Sequence, residues 1–137
     1  MTQEDKQLLL IDLCARLPYG VKVCARFNTG NHYTADITAI CADRDYIQIR
    51  QNVLHSYTGS SVEDIRPYLR PMSSMIEEEI DEYHKCCEFN DCDYTGEPMY
   101  IDTLESFDYL YSIHVDCRGL IPIGLALEAP EGMYKTE

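Results

Sequence analysis

Apolar positions recur first with the period of a helix and then with the period of a strand. Leu9, Leu10, Leu13 and Leu17 form a stripe at helical spacing, behind the acidic start Thr2-Gln-Glu-Asp5 and ahead of Pro18 and Gly20. That pattern predicts an N-terminal amphipathic helix whose stripe faces a core. Val21 to Arg26 then reads as a short strand. In 32–41, Tyr33, Ala35, Ile37, Ala39 and Cys41 share one parity, which predicts a half-buried strand. Tyr46 to Arg50 alternates around Ile47 and Ile49, and Val62 to Ile65 reads as a short fourth strand. Turn chemistry at Asn28-Thr-Gly-Asn31 and Ala42-Asp-Arg-Asp45 joins these segments. Connections this short make 21–26, 32–41 and 46–50 antiparallel neighbours, in a small curled sheet or SH3-like barrel.

The pattern changes across Ile65 to Tyr83. Pro67 and Pro71 hold the backbone extended. Ser74 and Glu77 have capping-box spacing, and Glu77, Glu78 and Glu79 crowd the positive end of a helix dipole. Ile76, Ile80, Tyr83 and Cys87 would be the buried face of this helix, running from about Ser74 to near Cys87. An acidic, turn-rich connector follows from Asn90 to Tyr100. A second helix is expected from Asp102 to Arg118-Gly119, with Leu104, Phe107, Leu110, Tyr111 and His114 on its buried side. Leu120 to Leu127 is apolar but broken by Pro122 and Gly124, and reads as a closing extended segment or short strand.

The expected fold is therefore α+β, in a single domain spanning 1–137. Residues 1–66 supply a helix and antiparallel strands. Residues 67–137 supply two helices, the acidic connector and the closing segment. The stretch from Ile65 to Tyr83 is the expected hinge between these halves.

Charge is concentrated late in the chain. The net charge is −13, yet 1–76 carries equal numbers of acids and bases, while 77–108 carries twelve acids and only Lys85. This block argues against nucleic-acid binding through the second half and favours a basic protein partner. No apolar run approaches the roughly 20 residues that span a bilayer. The N-terminus is acidic where a signal peptide would be basic, so a cytoplasmic protein is expected. The cysteine count of seven is odd, with Cys86 and Cys87 adjacent, which favours reduced thiols.

Tyr68-Leu-Arg-Pro-Met-Ser-Ser-Met75, Arg118-Gly-Leu-Ile121 and Gly124 to Tyr134 resemble a family of small proteins from gut Bacteroidales and their phages or mobile elements. The family pattern has an aromatic before the Arg-Gly and a tryptophan in the helix upstream. Here those places hold Cys117 and Tyr109 or Tyr111. The resemblance implies a cytoplasmic setting and an accessory or inhibitory role in a mobile element, and no activity.

Four constellations are candidates for chemistry. Asp91, Asp93, Thr95 and Gly96, with Asp102 at the twelfth position, partly fit a calcium loop in a helix-loop-helix. Against it, Pro98 lacks an N–H and Asp102 is shorter than the usual bidentate glutamate. His84, Cys86, Cys87 and Cys92 offer soft zinc ligands without a second spaced pair. His114 and Cys117 would be a base and a nucleophile, but Cys117 falls near a helix C-terminus, which disfavours thiolate. Arg66 and Arg70 flank Tyr68 as an anion clamp, or else pair with the acidic helix that follows.

None of these carries a reaction. The sequence reads as a non-enzymatic interaction protein without cofactor or metal. It presents Glu77, Glu78, Asp81, Glu82, Asp91 and Asp93 to a basic partner. The alternative is a divalent-metal-binding helix-loop-helix using Asp91, Asp93 and Asp102.

Overall fold

A computed structural model describes residues 1–26, 30–41, 45–51, 56–90 and 94–134. Helix α1 (Gln3–Arg16) opens on a reciprocal cap: the Asp5 N–H donates to Thr2 Oγ1 at 3.1 Å, and the Thr2 N–H to Asp5 Oδ2 at 3.3 Å. A single 3-10 turn, Leu17–Tyr19, and Gly20 at φ 73° end it, in a left-handed conformation that glycine adopts without strain.

Strands β1 (Lys22–Arg26), β2 (His32–Cys41), β3 (Tyr46–Gln51) and β4 (Tyr57–Ser60) form an antiparallel meander, as their alternation predicts for the first three. Strand β5 (Ile65–Leu69) pairs antiparallel with the other edge of β1. Strand β8 (Leu127–Glu128), the last among the described residues, adds to β5 in parallel. The sheet order is β4-β3-β2-β1-β5-β8, with β4 and β8 at its two edges, so it is open and mixed and not a closed barrel.

Leu9 and Leu13 of α1 are fully buried against one face of this sheet, with Val23, Ala25, Ala35, Ile37, Ile47, Ile49, Ile65 and Leu69. Fully burying each large aliphatic contributes roughly 1.5–3 kcal/mol. Leu120, Leu125 and Ala126 close the same core, so the C-terminal segment is part of it. The Asp116 carboxylate holds that segment in place, accepting from the Leu120 N–H at 2.8 Å and the Ile121 N–H at 2.9 Å.

Several expectations are corrected. In β2 a register shift between Ile37 and Ala39 breaks the alternation, so Ala39 is exposed and Ile40 packs toward the core. The fourth strand is β4, and Val62–Asp64 is a 3-10 turn leading into β5. The expected hinge is thus partly sheet: Ile65–Leu69 lies between β1 and β8. The C-terminal half is not simply helical. Between α2 (Glu77–Cys86) and α3 (Leu104–Ser112) stands a hairpin of β6 (Glu88–Asn90) and β7 (Met99–Ile101). Helix α3 starts after Thr103, whose Oγ1 accepts from the Ser106 N–H, and stops at Ser112, well before Arg118. Leu104 is 90% exposed, and His114 lies beyond the helix at φ 65°. The segment from Leu120 to Leu127 is mostly not extended: residues 120–124 form turns, and the short strand is confined to Leu127–Glu128.

Candidate interaction surface

Helix α2 begins two residues later than the capping-box spacing predicts. Its N-cap is Ile76, whose N–H donates to Glu79 Oε1 at 3.0 Å. Ser74 lies in the preceding 3-10 turn and donates to the Pro71 carbonyl. Arg70 explains the shift. Its guanidinium grips Glu79 with two bonds, Nη2 to Oε1 at 2.7 Å and Nη1 to Oε2 at 2.8 Å. It also donates to the carbonyls of Ser74 and Ile113. The bidentate bond to Arg70 leads the effects that hold the Glu79 carboxyl below its ordinary pKa and raise that of Arg70. Arg70 is therefore committed to the acidic helix. Arg66 is exposed and makes no ion pair among the described residues.

The expected buried face of α2 is split: Ile76 and Ile80 are exposed, while Tyr83 and Cys87 are half-buried. No residue of the helix is fully covered. Ile76 is 58% exposed and Ile80 40%. The side that does pack, through Glu79, Tyr83 and Cys86, faces Arg70 and α3. The Tyr83 hydroxyl donates to Asp102 Oδ1, and Thr103 Oγ1 donates to the Cys86 carbonyl at 2.6 Å. Burial, then the Asp102 carboxylate, pushes the Tyr83 phenol pKa up strongly. Burial and nearby Glu82 and Glu105 likewise raise the Cys86 thiol.

At about 3.6 residues per turn, Ile76, Ile80 and His84 line one flank of α2, with Glu77 and Asp81 directly beside them. The His84 ring stacks on Tyr100 of β7 at 3.9 Å, and Phe89 of β6 meets Tyr100 edge-on at 5.7 Å. Phe89 is 59% exposed, and Met99, Tyr100 and Ile101 are also exposed. An apolar band therefore continues from the helix onto the hairpin. Glu77, Glu78, Asp81 and Glu82 are all exposed along it or on the neighbouring side of α2. Glu82 has Lys85 at 3.8 Å. Asp91 and Asp93 lie outside the described residues.

The other constellations fare as follows. The flanks expected to make a helix-loop-helix include a β-hairpin, because the chain leaves α2 at Cys87 in an extended conformation. Asp102 Oδ1 already accepts from Tyr83 and, at 3.0 Å, from Ser106 Oγ. No group of three metal-ligating side chains occurs among the described residues. Of the zinc candidates, His84 stacks on Tyr100, Cys87 Sγ lies 3.9 Å from Asp102 Oδ1, and Cys92 is outside the described residues. His114 stacks on Tyr134 at 3.7 Å, with its Nδ1 lacking a hydrogen-bond partner among the described residues. Burial raises the Cys117 thiol, which keeps it protonated.

Two features are missing from the sequence reading. Asp12 and Arg16 are buried and paired, although their spacing from Leu9 and Leu13 places them on the buried stripe. Cys24 and His32, on adjacent strands, approach to 3.7 Å. No helix among the described residues is long and apolar enough to cross a membrane. No family model, no curated protein and no solved structure matches this chain.

Proposed function

We propose that the chain is a non-enzymatic interaction protein whose α2–hairpin band docks a basic, amphipathic segment of a partner protein. The observation that carries this reading is an exposed apolar row, Ile76, Ile80, Phe89 and Tyr100, beside the exposed carboxylates Glu77 and Asp81, which make no ion pair among the described residues. An isolated solvated helix has no need of such a row, and a partner that covered it would gain apolar burial. The acids would steer a basic partner in and fix its orientation. The setting we read for it is cytoplasmic, and the resemblance to proteins of gut Bacteroidales and their mobile elements fits an accessory or inhibitory role there.

The test is affinity capture with the wild type and two double variants, Glu77→Lys with Asp81→Lys, and Ile76→Ser with Ile80→Ser. A basic protein held by the wild type and lost by both variants is expected. Stopped-flow association with that partner should slow as salt rises, since the Debye length falls from about 30 Å at 0.01 M to about 3 Å at 1 M. A partner retained equally by either variant, or a salt-independent rate, overturns the reading.

A further inference from the structure

The face of the sheet opposite α1 carries polar side chains, and one cross-strand row on it is unusual. Thr34 of β2, Cys24 of β1 and Arg66 of β5 lie in register. His32, two residues before Thr34, projects to the same face, and its Nδ1 lies 3.7 Å from Cys24 Sγ. Tyr68 is half-buried, and burial, then Cys24, raises its phenol pKa. The half-buried thiol opens into a cavity of about 370 Å³ lined by Cys24, Arg26, His32, Glu63, Asp64 and Arg66.

The charges in this cavity are not equally available. Asp64 accepts from Arg26 at 2.6 and 3.2 Å. The Glu63 carboxylate lies 2.6 Å from Lys6 Nζ. Arg66 has no ion-pair partner among the described residues, so it is the uncommitted cation beside the thiol. Cys24 thus has an imidazole in reach of its sulfur and a guanidinium lining the same cavity.

We propose that Cys24 is a reversible thiol-modification site that takes small anionic disulfides, with His32 as proton acceptor and Arg66 as the anion's contact. His32 Nδ1 takes the thiol proton. The Cys24 sulfur attacks one sulfur of the disulfide, the new S–S bond forms, and the old S–S bond breaks. Its electron pair leaves on the departing thiolate, which takes the proton back from the imidazolium. Cys24 is thereby oxidised to a mixed disulfide, and the departing half of the reagent is reduced to a thiol. The carboxylate of the attached half faces Arg66.

The experiment compares a dianionic reagent, bis(carboxynitrophenyl) disulfide, with neutral dipyridyl disulfide. Mass spectrometry follows each cysteine peptide with time, and the exposed Cys14 is the internal standard. With the dianion, Cys24 is expected to react before Cys14. His32→Asn should slow Cys24 about tenfold with both reagents. Arg66→Gln should slow it severalfold with the dianion alone. Both substituted residues are exposed, and Cys14 should react at the same rate in every variant if the fold is kept. Cys14 outpacing Cys24 with the dianion, an unchanged rate in His32→Asn, or equal slowing of both reagents in Arg66→Gln each overturns the proposal.

Discussion

Arg16 and Asp12, one turn apart on α1, are both wholly buried and joined by Nε to Oδ2 at 2.7 Å and Nη2 to Oδ1 at 3.2 Å. The pair ties the helix to the chain that follows α3. Arg16 Nη2 donates to the Val115 carbonyl at 2.8 Å, and Arg118 Nε lies 3.4 Å from Asp12 Oδ1. The Tyr111 ring lies 5.1 Å from the Arg16 guanidinium, and its hydroxyl accepts from Arg118 Nη2 at 2.8 Å. Arg16 Nη1 has no partner among the described residues, so the network is incompletely satisfied.

Removing one member leaves a buried charge uncompensated, whereas removing both does not. Asp12→Ala is therefore expected to cost about 3–5 kcal/mol. The double variant Asp12→Leu with Arg16→Met should cost less than Asp12→Ala, despite changing two residues. Urea unfolding of the wild type, the single variant and the double variant measures this. A double variant at least as unstable as the single one would show that the pair is a net stabiliser.

The pattern of apolar residues made β1, β2 and β3 legible, because each alternates around residues that reach the core. It failed within β2, since a one-residue register shift reverses the faces and leaves no mark in composition. That error has a direct consequence. Ala39→Lys should change stability by no more than about 0.5 kcal/mol, because the side chain points to solvent. Ile40→Lys should destabilise by more than about 1 kcal/mol, because Ile40 packs on the core. Thermal melts of the two variants decide between this register and uninterrupted alternation, which predicts the reverse order.

The candidate surface was legible in part. The acids of α2 are exposed as their density suggests, but the start of the helix was misplaced. Glu77 and Glu79 both stand near the N-terminus, and only the position of Arg70 in three dimensions selects Glu79. The hairpin was missed because Glu88–Asn90 and Met99–Ile101 are too short to show a period. The Asp12–Arg16 pair was overlooked because the stripe was counted in apolar residues alone. Cys24 and His32 meet across two strands, a relation that spacing along the chain does not record.

Glu79 joins the start of α2 to the end of β5, and its ionised form makes both contacts. Glu79→Gln should cost about 1–3 kcal/mol, being a partly buried charge-assisted site. Glu78→Gln, at an exposed position beside it, should stay within about 0.5 kcal/mol. The pH dependence has a definite sign. The folded carboxyl titrates below its ordinary range, so its contribution is present above that range and is lost as pH falls through the folded value. Urea unfolding of both variants across pH tests this. Equal effects of the two substitutions would remove Glu79 from its assigned role.

His114 gives a second pH dependence, and it concerns the end of the described chain. Its ring stacks on Tyr134, whose hydroxyl donates to the Tyr68 carbonyl at 2.7 Å and accepts from the Lys22 N–H at 2.9 Å. That stack and those bonds fasten the C-terminal segment across β1 and β5. Burial, then the charges of Arg16, Arg70 and Lys22, lowers the His114 pKa to about 4 from an ordinary value of 6.5. The unfolded chain therefore binds this proton more readily than the folded one. The stability due to neutral His114 is full above pH 6.5 and declines as pH falls toward about 4. His114→Phe keeps an aromatic ring for the stack and removes the titration. Between those limits its unfolding free energy should fall less steeply with acid than that of the wild type. Tyr134→Phe keeps the ring and removes the hydroxyl, so it should lower stability by about 1–3 kcal/mol while leaving the His114 titration in place. Chemical denaturation from neutral to acid pH, with both variants and the wild type, separates the two contributions. Parallel curves for wild type and His114→Phe would mean that His114 is charged in the folded protein, which the stack on Tyr134 and its position beside Arg16 and Arg70 oppose.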